Sequence, residues 1–111
     1  DGDGKADELV TGKRVYAHEI EPGATDGSVV AWYRFDPAAK SWSKHVIFQG
    51  EPAKDAPAKA ADRLALNDFP AGTAGTGLQM TAIDVDADGD LDLVCPGKSG
   101  LYLFENLGYG R

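Results

Sequence analysis

Asp84-Val85-Asp86-Ala87-Asp88-Gly89-Asp90-Leu91-Asp92 packs five carboxylates into nine residues. A chain that contains such a run must either leave the acids in water or gather them round a cation, because like charges this close repel. The spacing favours the cation. Carboxylates stand at positions 1, 3, 5 and 9 (Asp84, Asp86, Asp88 and Asp92) and the Asp90 carbonyl at position 7. Gly89 takes position 6, where the backbone must turn sharply round an ion. Hard oxygen ligands on a flexible loop suit Ca²⁺ better than Mg²⁺, which keeps its water and requires a near-ideal octahedron. An EF-hand would share the first six positions but needs a glutamate at position 12, where this chain has Cys95. The flanks, Leu78–Asp84 and Leu91–Cys95, read as short, partly alternating β segments, so the loop is expected to join two strands.

Sliding the sequence along itself by 85 residues superposes Asp1 on Asp86, Asp3 on Asp88, Gly4 on Gly89, Asp7 on Asp92, Gly12 on Gly97 and Lys13 on Lys98. Leu9 then falls on Val94 and Val10 on Cys95, so a loop and the strand after it recur together, as in repeat architectures. The first loop retains Asp1, Asp3, Asp7 and the Lys5 carbonyl as candidate ligands, while its position 1 would lie before Asp1. This register predicts a segment of a longer protein and a first loop that binds calcium more weakly than the second.

Strands are expected at 8–14, 28–36, 41–49, 78–84, 91–95 and 101–106, with Asp36-Pro37-Ala38-Ala39-Lys40 as a hairpin turn. Residues 51–76 hold Pro52, Pro57 and Pro70 among alanines and glycines, which predicts a long loop with a helical turn at 58–66. The chain therefore divides into 1–50, a linker at 51–77, and 78–111.

Composition narrows the function classes. A net charge of −7 disfavours nucleic acid as a partner, and no apolar run approaches the roughly 18 residues of a membrane span. A single cysteine, Cys95, excludes an intrachain disulfide and any multi-cysteine zinc site.

The loop DxDxDGxxD between two strands, followed by Leu93-Val94, a glycine, and the aromatic strand Leu101-Tyr-Leu-Phe-Glu-Asn106, resembles the FG-GAP and VCBS-type repeats of β-propellers. The likeness covers about 1–14, 28–49 and 78–108. It implies an all-β fold of antiparallel four-stranded blades with the calcium loop between the first two strands. Residues 1–50 would then hold strands two to four of one blade, and 78–111 strands one to three of the next. A propeller needs four to eight blades, so the remaining ones would come from the parent chain or another copy. Calcium loops of this kind suit millimolar calcium, which points to an extracytoplasmic binding or scaffolding module. The stretches Leu9–Arg14 with Ala17-His18, and Gly97–Phe104, are also similar to large planctomycete-type propeller proteins and, more loosely, to the propeller module of aldos-2-ulose dehydratase-like lyases. That likeness implies an alternative function as one wall of a carbohydrate lyase site, with a carbohydrate or protein ligand.

His18, in a charged insertion at 15–28, is the candidate for a ligand or acid–base role, against the commoner fate of a surface or hydrogen-bonding histidine. His45 is expected to be structural. Lys13 and Lys98 recur just past the second strand of each unit, which suggests a shared structural contact, an anion site being the alternative. Trp32, Tyr33, Phe35 and Trp42 are expected to form core between blades, carbohydrate stacking being the weaker alternative, and Cys95, replacing Val10 of the repeat, to be a small buried apolar residue.

Overall fold

The computed structural model describes residues 4–15, 22–52, 74 and 79–108. Those residues form six strands and no helix. They are β1 (Glu8–Lys13), β2 (Val29–Asp36), β3 (Ser41–Gln49), β4 (Thr81–Ile83), β5 (Asp92–Gly97) and β6 (Gly100–Phe104). Two antiparallel three-stranded sheets result, in the orders β1-β2-β3 and β4-β5-β6.

Local chemistry explains the turns. Between β2 and β3 the Asp36 carboxylate accepts from the Ala38 and Ala39 N–H groups at 2.8 and 3.0 Å, and Lys40 closes the turn at φ 50°. Between β5 and β6 only Lys98 and Ser99 intervene, with Gly97 facing Gly100. A register shift at Val30/Ala31 marks a bulge in the β2–β3 ladder.

The strand limits differ from the sequence expectation chiefly in the second sheet. β4 covers Thr81–Ile83 rather than 78–84, because the Asp84 side chain is drawn into hydrogen bonds with the loop that follows. β6 ends at Phe104 rather than 106, because the Asn106 N–H turns away to the Asp92 carboxylate. β5 runs on through Pro96 and Gly97 to the hairpin. The long loop expected at 51–76, with its helical turn, lies almost wholly outside the described residues.

Directly paired residues of antiparallel strands share a face, so the ladders sort the side chains. Val10, Val30, Trp32 and Phe48 lie on one face of the first sheet, and Leu9, Tyr33, Phe35 and Trp42 on the other. Leu93, Cys95 and Phe104 lie on one face of the second sheet, and Ile83, Val94, Leu101 and Leu103 on the other. The core forms where the first face of each sheet meets. Val30, Leu93 and Cys95 are buried together, with Val10, Phe48, Met80 and Phe104 packed against them. The Phe48 and Phe104 rings bridge the sheets at 5.8 Å. Fully burying a Val or Leu contributes about 1.5–3 kcal/mol, so this small cluster ties the sheets together among the described residues.

The aromatic residues distribute unevenly. Phe35 and Trp42 pair at 5.1 Å on the outer face, Trp42 remaining exposed, whereas Trp32 stacks on His45 at 4.2 Å on the inner one.

Candidate metal centre

Asp84–Leu91 connects β4 to β5, so the acidic run joins two strands. Its backbone is turned inward by its own carboxylates. Asp84 accepts from the Asp88 and Gly89 N–H groups at 3.1 and 3.0 Å, Asp86 from Asp88 at 3.2 Å, and Asp88 from Asp90 at 2.9 Å. Two residues reverse the chain in the left-handed region: Gly89 at φ 96° and Ala87 at φ 62°. At Gly89 an L side chain would be strained, which explains the residue type at position 6.

The consequence is that Asp84, Asp86 and Asp88 each bring one carboxylate oxygen within 4.8 Å of the others. Three anions sharing so small a space repel, and a divalent cation between them would relieve that repulsion. Three carboxylate oxygens so placed could hold a hard divalent cation. The Asp90 side chain lies outside this trio.

Asp92 does something else. It is buried, and its two oxygens accept the Val85 and Asn106 N–H groups, each at 2.8 Å. The hydrogen bond from Asn106, then that from Val85, lower its pKa below the ordinary carboxylate value, against an opposing effect of burial. It thus ties the start of the acidic loop to the segment leaving β6. Asn106 reinforces the tie, its amide donating to the Leu91 carbonyl at 3.3 Å and accepting from Gly108 at 3.1 Å. Sequence reasoning singled out Asp92 as a ligand and did not single out Asn106; its signal was an amide residue closing the aromatic stretch Leu101–Asn106.

Of the first loop, Asp1 and Asp3 lie outside the described residues. Lys5 is exposed, and the Asp7 carbonyl accepts from the Phe35 N–H at 2.8 Å. Gly4, which the 85-residue shift places on Gly89, is also left-handed, at φ 80°.

His18 lies outside the described residues. His45 is exposed, stacked on Trp32 and 3.2 Å from the Ser43 hydroxyl. Lys13 donates to the Asp26 carbonyl at 3.1 Å, with the Asp26 carboxylate 4.0 Å away. Cys95 is fully buried, which pushes its thiol pKa up and makes it a poor nucleophile. No protein-family description, curated protein or solved structure matched the chain.

Proposed function

We propose that the chain is a calcium-binding β-sheet segment of an extracytoplasmic β-propeller of the FG-GAP and VCBS type, serving as a binding or scaffolding module. The observation that carries the calcium assignment is the convergence of the Asp84, Asp86 and Asp88 oxygens within 4.8 Å on a loop between two strands. The DxDxDGxxD spacing supports it, as does the left-handed conformation shared by Gly4 and Gly89. Asp92, at position 9, acts in this scheme as the anchor that holds the loop's shape rather than as an open ligand.

The propeller assignment rests on the repeat and on the apolar character of both outer faces. Val10 and Cys95, equivalent under the 85-residue shift, both belong to the contact between the sheets. Successive blades of a ring meet through opposite faces instead. Further blades would therefore have to separate this like-to-like contact, or pack on the outer faces around Leu9 and Tyr33 and around Val94 and Leu103.

Isothermal titration with CaCl₂ tests the calcium assignment. The expected result is one site in the native chain that Asp88→Ala weakens at least about tenfold, as for a lost charged ligand. Absence of calcium uptake, or uptake indifferent to Asp88→Ala, would remove its basis.

A further inference from the structure

Both stems of the acidic loop are held at one place, the point where the chain leaves β6. At the first stem the Val85 N–H donates to Asp92 Oδ2, and Oδ1 of the same carboxylate accepts the Asn106 N–H, each at 2.8 Å. At the second stem the Asn106 side-chain amide donates to the Leu91 carbonyl at 3.3 Å. The oxygen of that amide accepts the Gly108 N–H at 3.1 Å, and Gly108 turns the chain at φ 66°. Asn106 therefore shapes the exit from β6 and also grips the loop, its second stem directly and its first through Asp92. The Asp92 carboxylate is a rigid plane and the residue is only 2% exposed. Neither oxygen can follow a departing donor without pulling on the other, and little water can reach the site to replace a lost bond.

We propose that Asn106 is a positioning residue for the acidic loop, and that Asp92 and Asn106 form a latch through which the loop and the turn at Asn106–Gly108 stabilise each other. The hydrogen bonds of Asn106 run to Asp92, Leu91 and Gly108, none of which belongs to the converging trio Asp84, Asp86 and Asp88. Its influence on that trio must therefore pass through the stems. Val85 is bonded covalently to Asp84, so a first stem freed from Asp92 lets the first of the three carboxylates drift from the other two. The coupling is reciprocal by thermodynamic necessity: whatever fixes the loop also fixes the exit from β6, and by the same factor. A cation held by the trio would thus be felt at Gly108. That last step rests on the calcium reading above, whereas the latch itself does not, so the two are measured separately.

Amide exchange of the 111-residue chain in EDTA reads the latch without any cation. Asn106→Ala removes the side-chain bonds and should lower protection of the Val85 amide roughly threefold to tenfold, as for one lost hydrogen bond, with Phe35 in the first sheet unchanged. Leu107→Ala, at the exposed neighbour, should leave Val85 unchanged. In the native chain, saturating CaCl₂ should raise protection at Gly108 as well as at Val85. Asn106→Ala should weaken calcium binding in a titration by a factor of the same size as its effect on Val85. Loss of protection at Gly108 with Val85 unmoved would overturn the latch. Equal loss at Phe35 would overturn it too, by making Asn106 a general stabiliser. Calcium uptake with an affinity that Asn106→Ala does not change would overturn the link to the cation. A native chain that takes up no calcium would instead overturn the calcium reading, and the exchange in EDTA would still decide the latch.

Discussion

The two sheets secure corresponding ends by different chemistry. In the first, main chain holds main chain: the Phe35 N–H donates to the Asp7 carbonyl at 2.8 Å, and the Gly50 N–H to the Ser28 carbonyl at 2.7 Å. In the second, at the position that the 85-residue shift places on Asp7, the carboxylate of Asp92 gathers two N–H groups instead. A carbonyl neither titrates nor binds calcium strongly by itself, whereas the second sheet hangs on ionised side chains. Geometry alone should therefore govern the first sheet, and pH and cations the second.

The largest effect should come from Gly27→Ala. A Cβ on Gly27 would lie 1.8 Å from the Gly50 carbonyl oxygen, a backbone atom that cannot swing aside. Such overpacking costs about 3 kcal/mol. Chemical denaturation should show the loss, equal at pH 7 and pH 4, since no titrating group is involved; a change below about 0.5 kcal/mol would mean that the two backbone segments are not locked together.

Next is the response of Asp92 to acid. Its folded pKa is lowered, so its stabilisation is fully present above the ordinary carboxylate value of about 3.9 and is lost as pH falls through the depressed folded value. Amide-exchange protection at Val85 and Asn106 should collapse on acidification while that at Phe35 persists, once intrinsic rates are divided out. Asp92→Asn should reproduce the collapse at neutral pH. Equal loss at all three amides would erase the distinction between the sheets.

Calcium should act on the second sheet in the opposite direction. Saturation to a hundred times the dissociation constant adds about 2.7 kcal/mol to the native state. Thermal unfolding in calcium against EDTA should show that gain in the native chain and little of it in Asp88→Ala, with exchange at Phe35 unaffected by the ion as long as the sheets open separately.

The smallest effect sharpens the loop itself. Ala87 adopts φ 62°, a conformation that glycine takes without penalty, so Ala87→Gly should be stabilising by a few tenths up to about 1 kcal/mol in EDTA. Destabilisation of that size would mean that glycine's freedom in the unfolded chain outweighs the relief of strain.

Much of the framework was legible in the residues. Runs rich in β-branched and aromatic residues marked β2 and β3 almost to the residue, and Asp36-Pro37 announced the hairpin, because both signals are local. The acidic run with Gly89 at position 6 announced a turning loop between strands for the same reason. The second sheet was read less well, since its strand ends depend on distant partners. Asn106 leaves β6 for a carboxylate fourteen residues earlier in the chain.

Sequence by itself determined strand periodicity, turn chemistry and the clustering of acids, all properties of residues within a few positions of one another. Only the tertiary structure decided that Asp84, Asp86 and Asp88 converge while Asp92 is consumed by Val85 and Asn106. It alone decided that Val10 and Cys95 turn to the same interface. The reason is physical: every residue of a strand offers two faces and two edges, and which of them is filled depends on the segments that arrive from elsewhere in the chain.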